Sequence, residues 1–380
     1  MVSPSPQALS RSGDRIRAIS STAPDAVALR SGVLDELRTS FAFDAHVWLL
    51  TDPVTGVGCA PLAHVPLSDD LPMLIRLKYL TDINRWTALA RGPHHARSLL
   101  QATGNEPVRS LIWREILRDH EVVDVLSIVF ADRHGCWGFL DLWRQKPAAA
   151  FDPALTAFLA DLSPSVTAGL RRCQAETFAA PARPVQREMG PVVLVLDDGL
   201  QVTGQTEASR DWLGLLVPPP PGRAPIPASA YNVAAQLIAF ERGIDANPPR
   251  ARVHLIDGVW LTLRAARLSG SPGSQGSIAV TIEESSQADR LEIFSLAFGL
   301  SGRERELVEL LAAGGDTREV ANRLFVTEHT VQDHLKSIFE KTSTRSRRTL
   351  LSRALGMRPR PRGEVTADAR IDDAAEKRGN

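Results

Sequence analysis

The spacing of apolar positions changes several times along the chain, and each change marks an element. In "DAVALRSGVLDELRTSF", residues 25–41, Val27, Val33, Leu34 and Leu37 turn toward one face, which predicts a helix. "FDAHVWLL" and "VGCAPLAHV" read as strands, with Pro53 and Gly56 of "TDPVTG" making the reversal. Residues 69–119 predict short helices, clearest in "VRSLIWREILRDH". "EVVDVLSIVFA", the turn "DRHG" and "CWGFLDLWR" form a hairpin pattern. "FDPALTAFLADLSPSVTAGLRR" predicts a closing helix that Pro164 must kink or restart.

A second unit follows "AAPARPVQREMG", whose composition is that of a linker. "PVVLVLDDGLQVTGQTEASRDWLG" predicts a strand, a turn at Asp197-Asp198-Gly199, a weaker strand and a helix start. Four prolines at 218–221 suit neither a helix nor a central strand. "ASAYNVAAQLIAFE" predicts a helix. "RARVHLIDGVWLTLRAARLSG" and "SIAVTIEE" predict three strands, joined by an Asp-Gly turn and a Gly/Ser loop. "VVLVLDDG" also looks like the start of a phospho-receiver domain. That reading needs a later lysine, and the chain has none between Lys146 and Lys336.

The last part has the period of helices throughout. "LSGRERELVELLAAGG" opens on a capping box, Ser301 with Glu304, carries Leu307, Val308, Leu310 and Leu311 on one stripe, and stops at Gly314-Gly315. Asp316 caps a short helix ending at Leu324, Thr327 caps a third running to about Thr342, and "SRRTLLSRALG" makes a fourth. On a wheel of about 100° per residue, Val331, Leu335 and Ile338 fall together with Phe339 at the edge. His329, Gln332, Asp333, Lys336 and Glu340 fall opposite. Three helices would therefore bury Val320, Leu324, Val331, Leu335 and Ile338, and leave the outer face of the third free to enter a DNA major groove.

Charge sharpens this picture. The 380 residues carry no net formal charge, yet Lys341, Arg345, Arg347, Arg348, Arg353 and Arg358 follow one another with no intervening acid. Local charge governs here, because salt screens interactions beyond about 8–10 Å. No apolar run is long enough to cross a membrane and no signal peptide opens the chain, so a cytoplasmic location is expected. Cys59, Cys136 and Cys173 are far apart and read as small buried residues.

From Leu300 to Gly356 the chain resembles the DNA-binding domain of LuxR-type transcription regulators. The matching residues are "L-S-x-R-E-R-E", "A-A-G" at 312–314, "E-V-A-x-x-L-F-V-T" at 319–327, "T-V-x-x-H-L-x-x-I" at 330–338, then Lys341 and "R-S-R" at 345–347. The resemblance implies that Thr330, Gln332, Asp333 and Lys336 face DNA and that Thr317, Lys341 and Arg345 contact phosphate. Thr327 and Arg347, which flank them, complete the expected DNA-binding set. Gln332 stands where members usually carry a lysine and could pair with adenine edges. Thr342-Ser343-Thr344 replaces a common Leu-Gly-Val. Both departures bear on the target sequence rather than the fold.

Upstream, the order helix, two strands, helices, hairpin, helix resembles a GAF domain, and "GFLDLWR…FDPALTAFLADLS" resembles its ending. That resemblance implies a small-ligand pocket on one sheet face. Residues 190–285, with the closing "DGVWLTLRA" meander, resemble a PAS domain. The expected fold class is multidomain α+β: a GAF-like α/β/α sensor, a PAS-like mixed domain and an all-α, four-helix LuxR-type helix-turn-helix domain. Expected boundaries are a poorly ordered lead-in 1–24, the GAF-like domain 25–175, a linker 176–189, the PAS-like domain 190–285, a linker helix 286–295, the helix-turn-helix domain 296–356 and a disordered tail 357–380.

The expected function is a LuxR-type regulator that binds double-stranded DNA as a homodimer, with a small-molecule effector or partner upstream. RNA polymerase is a further candidate partner, and a membrane is not. Glu304 is expected to serve capping and His334 to be packed against the core. Trp48, Trp86, Trp113, Trp137 and Trp143 are five of the seven tryptophans; core packing outweighs a ligand pocket for them. His94-His95 has no partner at metal spacing, and no cofactor or metal is expected. No GxSxG, HExxH, P-loop or Rossmann fingerprint occurs, so no enzyme is expected. The rivals are an enzyme or receptor whose upstream domain carries the main activity, and an interaction protein that uses those domains only to dimerise.

Overall fold

The computed structural model describes residues 5–67, 70–179, 192–217, 225–255, 258–269 and 276–356. The expected tail, most of the 176–189 linker, the four prolines and most of the Gly/Ser loop lie outside them. The first unit begins earlier than expected. Residues 6–22, read from composition as a poorly ordered lead-in, form helix α1 (Pro6–Thr22). Ser5 caps it and Pro6 occupies its first turn, a start signal that the Ser/Pro/Arg composition masked. Its buried face holds Ser12, Gly13, Ile16 and Ser20, so small residues let it approach a neighbour closely where bulky apolar ones are sparse. At Gly169, in the helix Pro153–Glu176 against which it packs, a Cβ would meet the Ser20 carbonyl oxygen at 2.5 Å.

Helix α2 (Ala26–Ser40) buries Leu29, Arg30, Val33, Leu34 and Leu37. Val27, expected on that face, is 59% exposed; Leu29 takes its place. Strands β1 (Ala45–Thr51) and β2 (Gly58–His64) lead to α3 (Leu71–Leu80) and α4 (Trp86–Arg91). A three-residue strand, β3 (Ala96–Ser98), follows, too short to show a period in the sequence. After α5 (Leu99–Thr103), the "VRSLIWREIL" stretch is a 3₁₀ turn and a π-helical turn. Strands β4 (Val122–Asp132) and β5 (Gly135–Gln145) make the expected hairpin. Helix α6 (Pro153–Glu176) runs through Pro164. Pro164 is exposed, so its ring lies on the solvent side of the helix rather than in the core. The five strands form an antiparallel sheet ordered β2-β1-β5-β4-β3.

The second unit repeats that strand order. It contains β6 (Val192–Leu196), β7 (Val202–Gln205), α7 (Ser209–Leu216), α8 (Ala228–Glu241), β8 (Arg250–His254), β9 (Trp260–Arg267) and β10 (Ile278–Glu284). Its antiparallel sheet is ordered β7-β6-β10-β9-β8. Among the described residues, five helices follow: α9 (Gln287–Ala297), α10 (Gly302–Ala312), α11 (Thr317–Leu324), α12 (Glu328–Thr342) and α13 (Arg347–Leu355).

The units share cores. One apolar cluster joins α1, α2 and α6 to Trp260, to Phe294 on α9 and to the interior of α10–α13. A second fills the other sheet and takes in Val57, Cys59, Tyr79 and Leu80 of the first unit. The three cysteines are buried and free, and burial pushes the Cys59 and Cys136 thiols up to about 12. Among the described residues, no helix is long and apolar enough to cross a membrane and no group of three acidic, His or Cys side chains could hold a metal.

Candidate nucleic-acid interface

The C-terminal helices build one polar face from the pattern that set their core. Val320, Leu324, Val331, Leu335 and Ile338 are all buried. Thr327 Oγ1 accepts from the Thr330 N–H at 3.1 Å and starts α12. Between α11 and α12, Phe325 adopts the left-handed conformation (φ 55°), and Val326 donates back to the Ala321 carbonyl at 3.0 Å. One left-handed residue followed by a capped start reverses the chain in three positions.

The outward side of α12 carries His329, Gln332, Asp333, Lys336 and Glu340, all exposed. Gln332 and Lys336 share an open concavity of about 470 Å³ with Phe339, Glu340, Ser343 and Arg345. Asp333 lies 3.7 Å from His329, an exposed contact that holds neither in place. Asp333 and Glu340 outnumber Lys336 on this face. The flanks of this face add positive charge, where Arg345 and Arg348 are exposed.

Lys341, Arg347 and Arg353 of the basic run are among the cations engaged within the protein. Lys341 Nζ lies 2.8 and 2.6 Å from the Glu304 carboxylate oxygens. Arg347 donates to Thr317 Oγ1 at 2.6 Å, tying α13 to the start of α11. Arg353 donates to the Thr342 carbonyl at 3.1 Å and closes the end of α12. Sequence spacing placed these cations on or just after α12; only packing showed that they brace it.

Glu304 is 3% exposed and does more than cap. It accepts from the Ser301 N–H at 2.6 Å and from Ser337 Oγ at 2.7 Å, besides Lys341. Burial alone would push its pKa up. The bonds from Lys341, Ser301 and Ser337 outweigh that and hold the carboxyl down to about 2. Ser337 was missed as part of this cluster, although its place one turn before Lys341 on α12 was a usable signal. His334 is half-buried, as its position beside the core face predicts.

The C-terminal segment matches a known family. Residues 299–354 fit the family described as bacterial regulatory proteins, luxR family. Curated relatives include the probable HTH-type transcriptional regulator GfsR of Streptomyces halstedii, 34% identical over 104 residues, covering 26% of this chain and 42% of that protein. The spore germination protein GerE of Bacillus subtilis is 40% identical over 48 residues, covering 13% of this chain and 65% of GerE. The match to GfsR thus spans less than half of that protein. Among solved structures, the Vibrio cholerae VqmA–ligand–DNA complex is 17% identical with a TM-score of 0.21, over 44% of this chain and 82% of VqmA. SdiA in complex with octanoyl-rac-glycerol is 13% identical with a TM-score of 0.22, over 92% of this chain and 91% of SdiA. Scores this low say nothing about how this chain is arranged. Residues 299–354 form a LuxR-type helix-turn-helix domain.

Proposed function

We propose that this chain, whose last folded unit is a LuxR-type helix-turn-helix domain, is a cytoplasmic transcription regulator that reads double-stranded DNA with α12. The observation that carries the reading is the division of one helix: Val331, Leu335 and Ile338 inside, Gln332, Asp333 and Lys336 outside. Thr330, Gln332, Asp333 and Lys336 are its base-facing residues. Arg345 and Arg348 serve phosphate, Lys341 and Arg347 hold the helix while offering their remaining donors, Thr317 at the start of α11 is a further phosphate contact, and Thr327 caps α12. Two copies reading adjacent half-sites complete the proposal, because one short helix reads only a few base pairs.

The upstream units are read as GAF-like over 25–175 and PAS-like over 190–285. The order of their elements supports this: helix, two strands, helices, hairpin and helix in the first; two strands, helices and a three-stranded meander in the second. A cavity of about 480 Å³ against the first sheet supports an effector role. Selection of bound duplexes from a random pool with the purified full chain tests the reading. A two-fold-related motif should be enriched. A chain that retains no duplex even at low ionic strength would exclude DNA reading altogether.

A further inference from the structure

The cavity against the first sheet is not built by the first unit alone. Its walls come from β1, β2 and α3 on one side and from Val217, Ile226, Ala228 and Asn232 of the second unit on the other. The two sides are bonded directly. Tyr79 on α3 donates to Asn232 Oδ1 at 2.9 Å and accepts from the Gly58 N–H at 2.9 Å.

The lining is mostly apolar; apart from His64, exposed at the rim, and Asn232, bonded to Tyr79 and to the Ala228 carbonyl, its polar groups gather in one corner. Lys78 Nζ lies 2.7 Å from Asp141, both buried, and sits 4.6 Å from the centre of the Trp86 ring. Asp141 also accepts from Ser127 Oγ at 2.7 Å and Trp86 Nε1 at 3.3 Å. Trp143, 2% exposed, lines the same corner, and its indole N–H is buried without a partner. Lys78, Asp141 and Trp143 also border a void of about 10 Å³, room for one water at most.

This corner sets the ligand's chemistry. Asp141 is already bonded three times, so the spare capacity is in donors: the Trp143 N–H and the Lys78 N–H groups not aimed at Asp141. The ion pair is neutral as a whole. An anionic ligand would set two carboxylates against one ammonium in a buried site, and a cation would compete with Lys78. The volume and the apolar walls suit a drug-sized molecule.

We propose that this composite cavity binds an uncharged, mainly apolar small molecule that presents one carbonyl-type acceptor to Trp143 and Lys78 and seals the first unit against the second. The inference rests on the reading that the upstream units take an effector. Because α8 forms one wall, occupancy would be felt in both units.

Titration calorimetry on the full-length chain at pH 7 with 2-decanone, decanoate and decylammonium tests it. The ketone should bind about tenfold more tightly than either ion. Trp143→Phe should weaken the ketone about five- to tenfold, the scale of one hydrogen bond, and leave the weak ion affinities unchanged. Ala228→Leu, which fills the cavity from the second unit, should abolish ketone binding; Ile226→Trp, at a more exposed wall position, serves the same purpose if the former does not fold. Equal affinity for all three probes, no ketone binding, or ketone binding indifferent to both filling variants would overturn the proposal. Retention of duplex DNA by the same chain without ketone is measured separately. Ketone failure with DNA binding intact removes only this site, whereas DNA failure removes the regulator reading.

Discussion

Lys336 and Lys341 lie on one helix, five residues apart, and the fold puts them to different uses. Lys336 is exposed on the outward face of α12, so Lys336→Ala should weaken DNA binding and lower the magnitude of the salt slope by about 1, read from binding isotherms across salt concentrations. The thermal midpoint should not move. Lys341 instead stabilises Glu304, whose carboxyl is held down to about 2. Because the folded value lies below the unfolded one, this contribution is fully present above about pH 4.5 and is lost as pH falls toward 2. On the order of 3 kcal/mol is involved at neutral pH. Acid titrations of unfolding should show a wild-type stability loss between pH 4.5 and 2 that Glu304→Gln lacks. The Gln variant should already be destabilised at pH 7. Glu304 was legible as a capping residue from "S-x-x-E". Its contact with Lys341 spans α10 and α12 and follows from no local spacing.

The break between α11 and α12 shows how much a single element can hide. Phe325 sits at φ 55° and is 95% exposed. A phenylalanine in the left-handed region costs about 1–2 kcal/mol, and this ring buries nothing in return. Phe325→Asn, which tolerates that conformation, should raise stability by about 1 kcal/mol in a denaturant titration. A lower stability would mean that the ring packs in solution in a way the fold does not show. The break itself was readable, since Thr327 caps α12 and the apolar spacing restarts there. The left-handed residue was not, because Phe is an unusual choice at such a position. The same limit hid α1. Its buried face is made of Ser, Gly and one Ile, and small residues reveal a packed face only once the partner helix is known.

Across the whole molecule, one buried guanidinium links three parts of the chain. Arg252 on β8 donates to both Asp52 oxygens at 2.7 and 2.9 Å, with both side chains fully buried. Its other nitrogen donates to Glu292 on α9 at 2.6 Å. Burial opposes its charge, but Asp52 and Glu292 outweigh burial and raise it above the usual arginine value. Nearby on α9, Arg290 donates to the Gly258 carbonyl at 2.7 Å and to the Arg353 carbonyl of α13 at 3.2 Å. The first sheet, the second sheet and the helix-turn-helix domain are therefore bonded through α9, which the sequence presented as a plain linker helix. Arg252→Met should destabilise the chain by about 3–5 kcal/mol, because Asp52 is left as a lone buried charge. Combining it with Asp52→Asn should cost less than the sum of the single variants, as measured by denaturant unfolding. Additive losses would show that the pair does not couple the units.

The sequence by itself determined most of the elements, α1 and β3 excepted, and the polarity of α12. These are local properties: a 3.6-residue period, caps within one turn, and alternation along a strand all lie within about twenty residues of chain. It also determined the family of the last domain, since that match is a run of contiguous residues. Tertiary structure alone decided which charges are free and which are engaged. Asp52 and Arg252 are 200 positions apart, Tyr79 and Asn232 are 153 apart, and the lone aspartate in "GFLDLW" meets Lys78 only because α3 packs against the sheet. A cavity walled by two units likewise has no signature in either stretch, because its shape depends on how two finished surfaces meet.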